Sequence, residues 1–340
     1  MRRIGFRPIW FDSMGAKSSC TLVWTEDVRI LIDPGAAIMQ PSFPANIVRK
    51  LFWLVKARLA IGRAAGRADV VVISHYHYDH FTDFSRRIYE GKLILAKNPN
   101  EFINESQRER AESFFSNYSK KLGGVELEKL PPDVDRDYGD PLDRIPLAGA
   151  RKKDLAAGVS WFRRLSEKWR RWGRIPEMSF RRGRVIFPEG RTIKLGRTRI
   201  RASAPFFHGI AFSRVGWVFS TVIERGRERL IHSSDLNGPV IEDYAEWIIE
   251  QRPRVLILDG PSTYMLGYLV AKRNLRRAVE NVLRILEETD LELLVYDHHL
   301  AREPRFRERT AEVWRTGERL GIRVTTAAEL LGRKPVCLDR

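Results

Sequence analysis

Residues 70–80 read Val70-Val71-Val72-Ile73-Ser74-His75-Tyr76-His77-Tyr78-Asp79-His80, an apolar β-branched run that stops abruptly at His-x-His-x-Asp-His. Four consecutive residues of this kind, with no polar alternation, predict a strand buried on both faces. The hexapeptide that follows places four ligand-type side chains on one loop. Imidazoles and a carboxylate held this closely can bind two divalent cations side by side, and such a pair turns water into a nucleophile at neutral pH. His75 and His77, two apart on extended backbone, point to the same side. Asp79 and His80 fall on the turn that follows, within reach of a second cation.

A catalytic cation takes about three protein ligands and keeps a solvent position, so two cations need roughly six or seven ligands. Further donors must come from later in the chain, and each candidate again follows a strand. His208 lies in Pro205-Phe206-Phe207-His208-Gly209, after the run 200–204. Asp235 follows Leu230-Ile231-His232-Ser233-Ser234. His298 and His299 follow Leu294-Val295-Tyr296-Asp297, and the uncertain strand end leaves the choice between them open. Strand ends on one sheet edge would converge on a single pocket, where a bridging Asp235 carboxylate would hold two cations about 3.5–4 Å apart. A lone histidine after a strand is ordinarily structural, and His232 reads that way.

The rest of the pattern alternates strands and helices. Short strands are predicted at 4–11, 20–24 and 28–32, with Glu26-Asp27 turning the last two and Asp33-Pro34-Gly35 ending the third. A helix over 46–64 is expected to bury Ile47, Leu51, Leu54 and Leu59 on one side. A short helix at 84–89 and a strand at 93–96 come next, then a polar helix at 104–121 and a Pro- and Asp-rich loop at 131–150. From 192 onward strands are predicted at 198–204, 216–224, 229–232, 255–258, 293–295 and 322–325. Helices are predicted at 241–251, 270–288 and 304–320. Layered α/β architecture follows. The stretch 104–190 shows no strand signal and reads as an insertion into a single domain spanning 1–340.

Charge is uneven. The 340 residues carry a formal net charge of +17, and the segment 151–184 holds twelve Arg and Lys against three Asp and Glu. Trp161, Phe162, Trp169, Trp172 and Phe180 are interleaved there, so the segment can contact RNA or DNA through phosphates and stacking. The competing reading is an amphipathic helix, with Val159, Phe162, Leu165, Trp169 and Trp172 facing a core. No apolar run is long enough to span a bilayer, no secretory signal is visible, and two cysteines, Cys20 and Cys337, make no disulfide framework. A cytoplasmic protein is expected.

The hexapeptide His75–His80, with Asp33, His208, Asp235 and His298 in this order, resembles the metallo-β-lactamase superfamily over residues 1–100 and 198–325. The stretches Ile32-Asp33-Pro34-Gly35, Ser233-Ser234-Asp235, Asp259-Gly260-Pro261 and Asp297-His298-His299-Leu300 resemble, more narrowly, a largely archaeal branch regarded as metallohydrolases. The resemblance implies a four-layer αββα sandwich with the site at one edge of two sheets. It implies that His75, His77 and His208 hold one cation, that Asp79, His80 and one of the terminal pair hold the other, and that Asp235 bridges. Asp33 would orient a ligand histidine. His298 is favoured over His299 because Asp297-His298 with Arg302 four residues on is similar to a spacing found in phosphodiesterases of the superfamily, although Asp stands where those have Thr. Asp79, His299 or Asp259 would supply a proton to the leaving group.

Such donors suit zinc, and also manganese or iron(II). The reaction expected is hydrolysis by a metal-activated hydroxide of a phosphodiester or other anionic substrate, since a strongly positive field favours anions. Hydrolysis of a small ester, thioester or lactone is the alternative, with Tyr264 and Tyr268 lining a compact pocket. A metal-binding module without hydrolysis is the third reading. Tyr76 and Tyr78, beside the ligands, are candidates either for substrate contact or for loop packing.

Overall fold

Val70–Ile73 forms a strand whose four side chains are all buried, and the sheet grows outward from it. The computed structural model describes residues 4–139 and 152–339. The first sheet contains seven strands: β1 (Gly5–Phe11), β2 (Ser19–Trp24), β3 (Arg29–Ile32), β4 (Val70–Ile73), β5 (Leu93–Ala96), β6 (Met178–Phe180) and β7 (Gly183–Ile186). Their spatial order is β1-β2-β3-β4-β5-β7-β6. The hairpins β1–β2 and β2–β3 are antiparallel, whereas β3–β4, β4–β5 and β5–β7 are parallel.

The second large sheet repeats this plan. β8 (Thr192–Leu195) and β9 (Thr198–Ala202) lead into a small hairpin, β10 (Phe206–Phe207) with β11 (Trp217–Val218). The sheet continues with β12 (Thr221–Arg225), β13 (Glu228–His232), β14 (Val255–Asp259), β15 (Leu293–Asp297) and β16 (Arg323–Thr325), in the order β16-β15-β14-β13-β12-β9-β8. Pairing is antiparallel from β8 to β13 and parallel from β13 to β16. Strands β14 and β15 are buried along their whole length, as parallel strands covered on both faces must be. The helices are α1 (Ile47–Ala65), α2 (Arg86–Tyr89), α3 (Glu105–Tyr118), α4 (Lys152–Arg171), α5 (Glu242–Gln251), α6 (Lys272–Glu288), α7 (Phe306–Arg309), α8 (Ala311–Leu320) and α9 (Ala327–Leu330). The architecture is the αββα sandwich expected from the sequence. The two sheets are tied at the site edge, where Phe219 N–H donates to Ser74 O at 3.4 Å and His232 Nε2 lies 2.9 Å from Ser19 O.

Four local expectations need correction. The stretch 104–190 does contain strands: β6 and β7 extend the first sheet. They are short and carry Arg and Ser between apolar positions, which hid them. The helix expected over 304–320 breaks at Thr310, whose φ of −125° is not helical, giving α7 and α8. The strand expected at 216–224 is divided between β11 and β12, which belong to different sheets. Helix α1 buries Lys50, Trp53, Leu54, Ala57, Ile61, Ala64 and Ala65, while Ile47, Leu51 and Leu59 are exposed. The Asp12–Gly15 turn packs closely on Trp53 of the buried stripe. A Cβ on Gly15 would sit 2.3 Å from Trp53 Cδ2, and its φ of +104° already calls for glycine.

Helix α4 settles the reading of the aromatic side chains in 151–184. Phe162, Leu165 and Trp169 are buried. Trp169 Nε1–H donates to Ile103 O at 2.9 Å, and Trp161 stacks on the buried Trp217 at 5.4 Å. Phe162 and Trp169 therefore pack the interior, and Trp161, Trp172 and Phe180 pack against it while partly exposed. Trp169→Ala should cost about 3–5 kcal/mol of unfolding free energy, read from the denaturant midpoint. A loss below about 1 kcal/mol would show that α4 contributes little to the core.

Candidate metal centre

Strand ends position every candidate ligand. Asp33 follows β3, the hexapeptide follows β4, Asp235 follows β13, Asp259 closes β14 and His298 follows β15. These are the carboxyl ends of the parallel strands, where side chains from successive loops meet in one crevice. The backbone turns sharply there. Asp33, Ser234 and His298 have φ of 50°, 54° and 57°, a left-handed conformation that costs a non-glycine residue about 1–2 kcal/mol. Gly35 is required by close approach, because a Cβ would lie 2.2 Å from Phe81 N and 2.5 Å from His80 N.

Six of the candidate ligands surround Asp235, which is itself buried. His208 Nε2 is 2.9 Å from its Oδ2, His75 Nε2 3.6 Å from the same atom, and His80 Nε2 2.9 Å from Oδ1. His298 Nε2 is 3.3 Å from Oδ1 and 3.9 Å from Asp79 Oδ2. Nitrogens also face one another: His75 Nε2 and His77 Nδ1 are 3.0 Å apart, and His80 Nε2 and His298 Nε2 3.1 Å. Two groups of donor atoms lie within 4.8 Å of one another, His75–His77–His208–Asp235 and Asp79–His80–His298. His299 also approaches Asp235 and His298, but its Nδ1 is engaged by Asp259 Oδ1 at 2.8 Å and its ring lines the cleft wall.

The residues fit cations. Asp235 Oδ1 accepts no well-directed hydrogen bond among the described residues, although two imidazole nitrogens are close to it. A buried carboxylate oxygen left this way is costly unless a positive centre sits in front of it. The outer nitrogens of the rings are meanwhile held from behind. His80 Nδ1 is 2.9 Å from Asp33 Oδ2, His298 Nδ1 is 2.9 Å from Asp12 Oδ1, and His75 Nδ1 is 3.1 Å from Ser74 Oγ. Such partners fix ring orientation and leave the inner nitrogens to face a metal.

Asp33 is fully used in this support. It accepts from Ser74 N–H at 2.8 Å and Ser74 Oγ–H at 2.7 Å besides His80, and it is completely buried. Its carboxylate acts through His80 and does not face the cleft. His232 stays outside the cluster, with Nε2 on Ser19 O. Tyr76 is buried, its hydroxyl donating to Lys97 O at 2.6 Å, so it packs the loop. Tyr78 is half-exposed, stacked on Phe81 under Arg110. Tyr264 lines the cleft and carries the Arg302 guanidinium on its ring, whereas Tyr268 is 86% exposed and lies off it.

Several residues of the site were not anticipated. Asp12 and Ser18 on the β1–β2 loop both hold His298, through Asp12 Oδ1 and Ser18 O. Asp12 also pairs with Arg302. Gln107, from α3, donates to Val215 O at 2.8 Å and lies 3.3 Å from His77 Nε2. No motif signals these contacts, since each joins distant segments through single polar side chains.

Electrostatics divide the histidines. Burial, then neighbouring His80, holds His75 well below its ordinary value, and burial with His208 holds His77 down at about 3. Both present lone pairs at neutral pH. At His80 burial opposes the charge, but Asp235 and Asp33 outweigh it and push the imidazole up to about 10. Asp259 is pushed up to about 7 by burial and by Asp235.

Fold and site together define a metallo-β-lactamase-type protein, and residues 15–144 match the family model described as the metallo-beta-lactamase superfamily. A UPF0282 protein of Methanocaldococcus jannaschii is 30% identical over 98% of this chain and 93% of its own length. One from Korarchaeum cryptofilum is 31% identical over 96% and 89%. Among solved structures, the metallo-beta-lactamase fold protein YhfI from Bacillus subtilis is 14% identical, covering 96% of this chain and 97% of that one, with a TM-score of 0.41. The chain belongs to the archaeal UPF0282 family of the metallo-β-lactamase superfamily. Among the described residues no helix is long and apolar enough to cross a membrane.

Two outcomes are expected. Because His80 is protonated in the cation-free protein below about pH 10, cation uptake at pH 7.5 should release protons, and apparent affinity should rise with pH. Calorimetry in buffers of different ionisation enthalpy measures this. Asp12→Asn should lower cation affinity about 10–100-fold with the circular dichroism spectrum unchanged; unaltered affinity would remove Asp12 from the support of His298.

Proposed function

We propose that this protein is a binuclear metal-dependent hydrolase of an anionic ester, with a phosphodiester as the first substrate class to test. The observation that carries the proposal is the convergence of inward-facing ring nitrogens on a buried Asp235 whose Oδ1 lacks a directed hydrogen-bond partner among the described residues. His75, His77 and His208 would hold one cation, Asp79, His80 and His298 the other, and Asp235 would bridge them. The donor set, histidine and aspartate without cysteine, suits zinc and is open to manganese and iron(II). When bound, zinc lowers the pKa of coordinated water from about 15.7 to about 7, and a divalent cation polarises the bond to be broken.

The chain's own groups do the rest. The cluster lies at the floor of a cleft of about 480 Å³. Asp79 and His299 both line it, so either would take up the proton released when water is activated and pass it to the departing alkoxide, with Asp259 orienting His299. Arg302, buried against Asp12, lies 3.5 Å from Asp79 Oδ2 and restricts where that carboxylate turns.

The small-ester reading is kept because the cleft walls are mostly apolar, with Ile210, Val240, Met265 and Leu269 among them. A compact apolar cleft accepts a metabolite more readily than a polymer. The purified protein should hold about two transition-metal ions per chain. His77→Ala should lose at least one and abolish hydrolysis of a panel of phosphodiesters and small esters run with zinc or manganese. Unchanged stoichiometry in that variant, or full activity after exhaustive chelation, would overturn the proposal.

A further inference from the structure

Interior cations of this fold are partnered. Lys50 Nζ donates to Gln40 O and Pro41 O at 2.8 and 3.0 Å, Lys97 Nζ pairs with Glu189 at 2.6 Å, and Arg108 donates to Pro99 O and Gly173 O. Arg302 is held by Asp12 and Tyr264. Lys17 differs. It is partly buried and lines the same cleft as His77, Asp79 and Asp235. Yet its ammonium makes no hydrogen bond or ion pair among the described residues. The acids whose charge reaches it, Asp79 and Asp12, are opposed by Arg302 and committed elsewhere: Asp12 receives Ser18 N–H, His298 and Arg302, and Asp79 faces His298 and Arg302.

The backbone beneath Lys17 is fixed. Lys17 N–H donates to Ala37 O and Ala37 N–H to Lys17 O, both at 2.9 Å, and the next residue, Ser18, donates through Oγ to Gly35 O at 2.6 Å. The ammonium is thus carried on a rigid base, in the lining of a cavity whose walls include Ile210, Val215, Val240, Met265, Leu269 and Leu275 besides the polar groups of the site. A cation drawn partly out of water against apolar walls is poorly solvated, and an incoming anion restores what it has lost.

We propose, resting on the hydrolytic reading above, that Lys17 anchors a second anionic group of the substrate, so that the substrate class is a compact ester with an apolar body and an anionic group besides the bond that breaks. The unpartnered ammonium selects the charge and the apolar walls select the body. Lys17 touches substrate and sets specificity; it takes no part in bond breaking.

The test is a binding comparison that does not need turnover. Calorimetry of the cation-loaded protein with 4-phenylbutyrate and with 4-phenylbutanol compares one body with and without the charge. The wild-type protein should prefer the carboxylate by about tenfold or more, less so at high salt. Lys17→Gln should bring that preference close to one while leaving the alcohol's affinity unchanged, and Lys17→Arg should keep most of it. No preference in the wild-type protein, or a preference that survives Lys17→Gln and so belongs to the cations, overturns the inference. Should Lys17→Gln lose both ligands through misfolding, the Lys17→Arg variant and the salt dependence decide in the same way. Lack of hydrolysis of any ester with the Lys17-dependent preference intact would instead overturn the hydrolytic reading.

Discussion

A carboxylate buried between two sheets sets the terms for this molecule. Asp235 lies among four imidazoles of separate origin, His75 and His80 from the first large sheet, His298 from the second and His208 from the small β10–β11 hairpin. Burying an ionised carboxylate is expensive, and it persists only where opposite charge faces it. In the cation-free protein the protons on His80 and His298 supply part of that charge, since Asp235 and the acids behind the rings, Asp33 and Asp12, raise both imidazoles. Separating the sheets at this edge would strand the charge. The same arrangement that stabilises the edge is the one that can hold divalent cations.

Support for the cluster comes in concentric shells of different origin. The inner donors other than His208, which follows the antiparallel strand β10, sit at the ends of parallel strands, where three of the turning residues adopt left-handed backbone. Behind them stand carboxylates and hydroxyls from the β1–β2 loop and from the turn after β3. Asp12 ties this loop to the far end of the chain through His298 and Arg302, residues nearly three hundred positions away. The cost of left-handed Asp33 and His298 is offset by the bonds their side chains make, which is where strain is usually found in sites that must be preorganised.

Much of this was legible in the order of residues. The apolar run 70–73 and the hexapeptide after it identify a buried strand and its loop because periodicity and ligand type coincide within eleven residues. Strands β4, β5 and β14 fall where continuous apolar runs predict them. Legibility failed where two solutions satisfy one local pattern. Helix α1 carries two apolar stripes, and no wheel can tell that the one with alanines and Trp53 meets the sheet, with Gly15 close against Trp53, while Ile47, Leu51 and Leu59 face outward. Strands β6 and β7 are too short and too polar to register alone, and they exist because the β5 edge offers hydrogen bonds.

The site divides along the same line. Residue type and position after a strand are local properties, so His75, His77, Asp79, His80, His208, Asp235 and His298 could be named before any coordinates. The choice of His298 over His299 for the inner cluster depends on how the chain leaves β15: a left-handed His298 points its ring at Asp235, and His299 is drawn back to Asp259. Asp12, Gln107 and the unpartnered Lys17 belong to no motif and became visible only as neighbours. The candidate donors were written in the chain because donor character depends on which atoms a side chain carries. Which groups stand behind the ligands, and which cation is left facing an open cleft, was decided by the packing of two sheets, because those relations join segments with no local pattern in common.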